Sequence, residues 1–231
     1  MNDAEFDRFA RRYRDLHKAN IAITGEEPEY FADYKMRDFR AHLERAGLPA
    51  DGTYLDFGCG TGASIAPFLR HLPGARLTCA DVSTASLDEA RARHGDVVRY
   101  ELIDDGDGGP PSCHDGAFAN CVFHHIAPAA HAAALSSLRR RLKPGGLLMV
   151  YEHNPLNPLT VRAVRTCPLD ENAILIRAGR WRAMLAAHDF TAIRIDFRVF
   201  FPAALKRLRP LEDRLRWLPL GAQYCVTARS P

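Results

Sequence analysis

The chain has 231 residues, of which 47% are hydrophobic, and this is ample for the buried core of one domain. Its 31 basic and 28 acidic residues leave a net charge of +3, which is too balanced to indicate nucleic-acid binding by itself. No stretch approaches the roughly 18 apolar residues of a membrane span, and the N-terminus is charged where a signal peptide would be apolar. A cytoplasmic protein without a transmembrane segment is predicted.

The six cysteines give no sign of a metal site or of disulfides. They are scattered along the chain without a CxxC pair, and several lie inside apolar runs. This favours reduced and mostly buried thiols, so no metal is expected.

The first fifty residues have a helical pattern. Between about residues 5 and 46, aromatic and leucine side chains recur at three- and four-residue steps, and TGEEPEY at 24–30 interrupts them. We expect two or more helices in this region.

From Gly52 onward, β-like runs alternate with helical stretches. The first five runs are TYLDF (53–57), RLTCAD (76–81), VVRYELI (97–103), GAFANCVF (116–123) and GLLMVYE (146–152). The stretches between them have helical spacing and are bounded by Gly, Pro or Ser. This alternation indicates βαβ units and a parallel sheet with helices on both faces.

The last third of the chain predicts a helix and two strands joined by long connections. The helix is expected over 179–189 and the strands over 192–200 and 222–229. The connections over 153–176 and 201–221 are longer than usual, and long connections in compact domains are usually functional. Within the second, residues 203–218 mix basic side chains with leucines, which predicts an amphipathic helix, either a solvated face over the core or a lid.

Three glycines at alternate positions follow the first predicted strand. Gly58, Gly60 and Gly62 can take positive φ angles or let a ligand approach the backbone, so this loop is expected to bend around a ligand. With Ala63 and Asp81, the loop also fits a dinucleotide-binding pattern. Two features argue against that alternative: an aspartate lies inside the strand, and some fifty helical residues precede the loop.

Four stretches between residues 52 and 153 resemble the class I S-adenosylmethionine-dependent methyltransferases. They are LDFGCGTG, LTCAD, DGAFANCVFHHI and LKPGGLLMVYEHNP, in the family's order and with suitable spacing. The resemblance implies an α/β fold: a Rossmann-like, doubly wound sheet of seven strands, mostly parallel with an antiparallel last strand, plus an N-terminal helical cover. It implies one domain over 1–231, with the cover in 1–50, the cofactor-binding half in 51–153 and a substrate-side half with insertions in 154–231.

The resemblance also implies S-adenosylmethionine as the cofactor. Asp56 would accept hydrogen bonds from loop amides or, through water, from the methionine ammonium, and Asp81 would accept from both ribose hydroxyls. Asp104 would reach the adenine amino group. The alternative for Asp81 is a cap on the helix that begins near Ser83. The other cofactor contacts that are implied come from the loop and the strand ends: Gly58, Cys59, Gly60, Gly62, Val82 and Asn120.

His124 and His125 are the candidate catalytic residues because they follow the fourth strand, beside the expected methyl group. An imidazole titrates in the range that is useful for removing a proton from a hydroxyl acceptor. The alternative is that either histidine only bonds to backbone and fixes the turn.

Five further residues are candidate substrate contacts. Glu152 and His153 end the fifth strand at the same edge, where they would meet a substrate or only hydrogen-bond within the crevice. Tyr13 resembles the aromatic position with which many small-molecule methyltransferases cover the cofactor, although core packing is the commoner role. Arg207 and Arg209, in the basic segment, would favour an anionic or carrier-linked acceptor.

The predicted function is methyl transfer from S-adenosylmethionine to a small molecule, at an oxygen atom. Residues 10–35, 153–172 and 200–218 are expected to form the acceptor pocket, since they can overhang the carboxyl edge of the sheet. The alternatives are a methyltransferase acting on RNA or protein, an NAD-dependent oxidoreductase, and a cofactor-binding protein without catalysis.

Overall fold

A computed structural model describes residues 12–103 and 109–231, apart from the side chain of Tyr13. Within these residues, seven strands form a sheet of order β3-β2-β1-β4-β5-β7-β6. The strands are β1 Thr53–Phe57, β2 Arg76–Asp81, β3 Arg99–Leu102, β4 His114–Asn120, β5 Leu142–His153, β6 Thr191–Arg198 and β7 Gln223–Arg229. Strand β7 is antiparallel to both of its neighbours, whereas β1 to β5 pair in parallel. The predicted fold class is therefore confirmed.

Helices cover both faces of this sheet. In the described residues they are α1 Tyr13–Ile21, α2 Pro28–Arg45, α3 Ile65–His71, α4 Thr84–His94, α5 His131–Arg141, α6 Pro158–Thr166, α7 Arg180–Ala186 and α8 Glu212–Leu215. The local sequence explains where several of these helices begin. Proline occupies the first turn of α2 and α6, where its missing N–H costs nothing, and the hydroxyl of Ser83 accepts a hydrogen bond from the amide of Ser86 to cap α4.

The basic segment over 203–218 is not the continuous helix that its composition predicts. It is a 3₁₀ stretch over Ala203–Leu211 followed by the single turn of α8. Pro210 lies inside the 3₁₀ stretch and cannot donate a backbone hydrogen bond, and Leu205 has non-helical backbone angles. The segment therefore follows the surface as short turns.

None of the helices in 12–103 and 109–231 is long and apolar enough to cross a lipid bilayer.

The core divides into two layers because successive residues of each strand point to opposite faces. On β1, Tyr54 packs into the layer beneath α2, and Leu55 packs into the layer on the opposite face. In the first layer, the ring of Phe39 from α2 meets the rings of Tyr54 and Phe118 edge-on, with centroids 5.5 and 5.0 Å away. These contacts anchor α2 to the middle of the sheet.

A buried ion pair fixes α2 to the far edge of the sheet. Asp38 accepts hydrogen bonds from Nε and Nη2 of Arg198, on β6, at 3.2 and 3.0 Å, and from the hydroxyl of Tyr151, on β5, at 2.5 Å. The side chain of Arg198 is 3% exposed. Three distant parts of the chain therefore depend on one carboxylate.

We expect Asp38→Ala to destabilise the protein by about 3–5 kcal/mol, because it removes the main charge partner of the buried guanidinium of Arg198 and leaves it with the longer contact to Asp196, 3.5 Å away. The control is Glu44→Ala, which removes the exposed partner of Arg40 and should cost about 0.5 kcal/mol or less. Urea unfolding followed by circular dichroism gives both values. Equal losses in the two variants would contradict the structural role of Asp38.

Candidate functional site

The glycine loop between β1 and α3 is held by the end of β2. The amides of Gly58 and Cys59 donate to the carbonyl of Ala80 at 2.8 and 3.1 Å, and the amide of Gly60 donates to Oδ2 of Asp81 at 2.7 Å. A Cβ on Gly58 would lie 2.6 Å from Cγ1 of Val122, so no larger residue fits there. A Cβ on Gly60, by contrast, would meet no described atom within 4 Å. The loop is thus rigid where it faces the protein and open where it faces the cleft.

Asp81 supports two turns and also lines the cleft. Besides its bond from Gly60, it accepts a hydrogen bond through Oδ1 from the amide of Ser83 at 2.9 Å. The cap of α4 comes from Ser83 itself. The carboxylate of Asp81 is therefore fixed in place at the carboxyl end of β2.

Two buried polar groups beside the loop have an atom left for a ligand. Asp56 is 1% exposed, and within the described parts of the chain its Oδ2 has no hydrogen-bond partner. The same holds for Oδ1 of Asn120, whose Nδ2 donates to the hydroxyl of Ser64 at 3.2 Å. Burial, together with the charge of Asp81, raises the pKa of Asp56 to about 8. Two unsatisfied acceptors facing a cleft suit a ligand that brings a cationic donor, such as the ammonium of the expected cofactor.

The cleft continues from this loop into an apolar chamber, with a volume of about 350 Å³ in all. The chamber is enclosed by α1, α2, α6 and the connection after β6. Its apolar walls include Ile21, Phe31, Leu159, Val164, Leu169, Phe200 and Phe201. All three predicted pocket segments contribute to this lining.

Lys35 and Cys121 lie where the two parts of the cleft meet. Nζ of Lys35, which is 8% exposed, lies 3.2 Å from Sγ of Cys121, and Nε2 of Gln223 approaches the same sulfur at 3.5 Å. Burial would raise the pKa of Cys121, but the charges of Lys35 and His153 outweigh it and lower that pKa to about 6. The ammonium of Lys35 and the sulfur of Cys121 therefore lie beside each other in the cleft wall.

A chain of ionisable groups lies in and behind the cleft wall after β4. Nδ1 of His124 lies 2.6 Å from Oε2 of Glu152, and Oε1 of Glu152 accepts from the amides of Val122 and Phe123 at 3.2 and 2.8 Å. Burial disfavours the charge on His124, but Glu152 and the nearby Asp170 outweigh it and raise its pKa to about 10. Glu152 thus lies behind His124 and orients its ring.

Some of the predicted site residues line the cleft and others do not. Those that line it are Asp56, Gly58, Cys59, Gly60, Asp81, Asn120, His124, His125, His153 and Arg209. Gly62, Val82, Glu152 and Arg207 lie outside the lining, and Arg207 is exposed. Asp104 and the side chain of Tyr13 lie outside the described residues.

Arg209 connects the basic segment to the helical cover. Its Nη2 lies 2.5 Å from Oε1 of Glu26, and its guanidinium stacks 4.4 Å from the ring centroid of Tyr30. This contact closes the chamber at the side of the 3₁₀ stretch.

Lys35, Cys121, Asp170 and Gln223 also line the cleft and were not predicted as site residues. Cys121 is the residue that the sequence could have indicated, since it lies in the fourth-strand motif, three residues before His124. Lys35 and Asp170 lie within the predicted pocket segments 10–35 and 153–172, and Gln223 lies in the predicted last strand, but no local motif singled out these three residues.

Asp56→Asn should stabilise the ligand-free protein more at pH 8.5 than at pH 5. The carboxyl ionises near pH 4 in the unfolded chain but only near pH 8 in the folded protein, so wild type loses stability as the pH rises between these values. The amide side chain of the variant does not ionise, so the variant does not lose stability in this way. Its free energy of unfolding should exceed that of wild type by on the order of 1–3 kcal/mol at pH 8.5. Thermal unfolding of both proteins at the two pH values measures it. A difference that does not change with pH would refute this account.

The sequence is similar to those of known methyltransferases. Residues 55–148 match a family model described as a methyltransferase domain. A trans-aconitate 2-methyltransferase of Azoarcus sp. is 32% identical over 165 residues, which cover 71% of this chain and 60% of that protein. Another, from Methylobacterium radiotolerans, is 31% identical over 170 residues, or 70% of this chain and 64% of the relative. The chain thus spans about three fifths of the length of these curated relatives.

Solved structures share the fold. An S-adenosylmethionine-dependent methyltransferase of Thermotoga maritima aligns over 99% of both chains with a TM-score of 0.67 and 16% identity. Another, from Mesorhizobium loti, aligns over 80% of this chain and 94% of its own with a TM-score of 0.59 and 23% identity. From the matched motifs, the relatives and the shared sheet, the chain carries a class I S-adenosylmethionine-dependent methyltransferase domain.

Proposed function

We propose that residues 1–231 act as one domain that transfers a methyl group from S-adenosylmethionine to a carboxylate oxygen of a small anionic acceptor. The observation that carries this proposal is the position of Lys35, a buried cation at the junction between the cofactor end of the cleft and its apolar chamber. The names of the relatives support it, since trans-aconitate carries carboxylates.

The residues of the cofactor end would hold S-adenosylmethionine. Oδ2 of Asp56 and Oδ1 of Asn120 would accept hydrogen bonds from the methionine ammonium, which supplies the donors that these buried atoms lack. Asp81 would face the ribose, and the open side of Gly60 would lie against the ligand. The bound cofactor supplies an electrophilic methyl group on a sulfonium.

The chain's own residues then have two tasks, positioning the acceptor and excluding water. Lys35 would pair with an acceptor carboxylate, which burial makes stronger than the same pair in water. The chamber walls, including Phe31 and Phe200, would keep water away from the reacting atoms. A carboxylate is already anionic, so no base is required, and His124 and His125 would contribute polar contacts at the acceptor end.

A hydroxyl acceptor is the second candidate. It would need a base, and His125 lines the cleft with 14% of its side chain exposed. The product distinguishes the two candidates, because mild alkali hydrolyses a methyl ester but leaves a methyl ether intact.

The proposal is tested by incubating purified protein and S-adenosylmethionine labelled in the methyl group with a pool of small carboxylic acids. We expect labelled, alkali-labile products in this arm. Parallel arms contain total RNA and total protein. Label that enters only RNA or protein, or an alkali-stable small product, would overturn the carboxylate proposal.

Asp81→Ala should weaken binding of S-adenosylmethionine by about 10–100-fold, equivalent to roughly 1–3 kcal/mol, because the ribose hydroxyls lose their acceptor. Asp88→Ala, an exposed carboxylate on α4, is the control. Isothermal titration calorimetry measures both variants and wild type. The same titration with NAD should show no comparable binding, and tighter binding of NAD would contradict the proposed cofactor.

Lys35→Met should raise KM for a carboxylate acceptor by about 10–100-fold, since a buried charged hydrogen bond contributes about 1.5–3 kcal/mol. Arg207→Met removes an exposed cation outside the cleft and should leave KM unchanged. Steady-state kinetics with each variant, at low and at physiological salt, make the comparison. An unchanged KM in Lys35→Met would place the acceptor carboxylate elsewhere.

A further inference from the structure

Three potential metal ligands converge in the wall of the acceptor chamber. They are His124 and His125, in the 3₁₀ turn Phe123–His125, and Asp170, in the 3₁₀ turn Pro168–Asp170. Oδ1 of Asp170 lies 3.5 Å from Nε2 of His124 and 3.4 Å from Nε2 of His125. Tetrahedral zinc sites with bonds of about 2.0–2.1 Å place their ligand atoms roughly 3.3–3.4 Å apart, so these distances leave room for one cation.

The ring of His124 is oriented as in a metal site. Its Nδ1 faces Oε2 of Glu152 at 2.6 Å, and this directs Nε2 toward Asp170. Nε2 is buried and has no hydrogen-bond partner in the described ranges. Metal-binding histidines usually donate their other ring N–H to a carboxylate in this way.

The backbone holds the two turns in register. The amide of Ile174 donates to the carbonyl of His124 at 2.8 Å, and the amide of Ala173 donates to the carbonyl of Asp170 at 2.9 Å. The side chains of Asp170 and His125 are 8% and 14% exposed. The three ligands therefore form a largely buried group with one side open to the cleft.

The geometry points to a binding site for a divalent transition-metal ion, of the Zn²⁺ or Fe²⁺ class, with Nε2 of His124, Nε2 of His125 and Oδ1 of Asp170 as ligands. Two imidazoles and one carboxylate are a donor set that these metals prefer over Mg²⁺ or Ca²⁺. Binding would displace the proton carried by Nε2 of His124. The coordination positions left open would face the chamber, where they would bind an acceptor oxygen.

A second group of potential ligands does not support a metal. Asp38, His42 and Cys225 also bring ligand atoms within 4.8 Å of one another. There, however, the guanidinium of Arg198 already binds the carboxylate of Asp38, and a fixed cation repels another.

The test measures metal binding in the absence of cofactor and acceptor. The role of the metal toward an acceptor oxygen rests on the proposed methyl transfer, whereas metal binding itself does not. Failure of the metal site and failure of the proposed function can therefore be told apart. Tag-free protein is stripped with EDTA, dialysed and titrated with Zn²⁺ by calorimetry. We expect one equivalent to bind, and Asp170→Asn and His125→Asn each to weaken binding at least tenfold.

Three further measurements test whether binding is specific to this site. Asp33→Asn removes a surface carboxylate that pairs with His71, and it should leave binding unchanged. Co²⁺ in place of Zn²⁺ should give a ligand-field spectrum without a sulfur charge-transfer band, because Cys121 is not a ligand. Glu152→Gln, which keeps an oxygen acceptor, should weaken the metal by about 10–100-fold. The inference is overturned if wild type binds no stoichiometric metal, if Asp170→Asn and His125→Asn bind as wild type does, or if Co²⁺ shows sulfur ligation.

Discussion

The parallel alignment of β1, β2, β4 and β5 is the constraint on which the site depends. Parallel strands bring their carboxyl ends to the same edge of the sheet. In this chain the strands end at or beside polar residues: Asp81 on β2, Asn120 on β4 and His153 on β5. The neighbouring central strands β1 and β4 are followed by connections that run in opposite directions, from β1 to β2 on one side and from β4 to β5 on the other. The resulting crevice receives side chains that are far apart in the sequence.

Strand β5 shows how the alternation of a strand serves both stability and the site. Tyr151 points toward α2, where its hydroxyl binds Asp38, and Glu152 points to the other face, where it binds His124. His153 then reaches the cleft. Three consecutive residues therefore attach the cover, orient a histidine and line the chamber. A shift of one residue in the register of β5 would exchange all of these roles.

The parts of the fold and site that could be predicted are those encoded locally. Strands β1 and β2 have the predicted bounds, because each is a short apolar run between turn residues. Lys35 and Asp170 lie in segments that were predicted to line the pocket, but these two side chains could not be singled out, since each reaches the cleft only through the packing of a helix or turn on distant strands. Glu152 was expected at the edge of the crevice, and sequence alone could not reveal that backbone amides and His124 would hold it behind that wall. The prediction of a helix over the basic segment was wrong. It relied on the spacing of the leucines, whereas Pro210 cannot donate the backbone hydrogen bond that a continuous helix needs.

The distribution of charge along the cleft matches the proposed reaction. The cofactor end carries Asp56 and Asp81, whereas Lys35 lies at the junction with the apolar chamber. A sulfonium and a carboxylate carry opposite charges that both disappear as the methyl group moves between them. The transition state is therefore less charged than the bound reactants, and a chamber that excludes water favours it over a solvated pair. The apolar walls would then lower the barrier directly, in addition to positioning the acceptor.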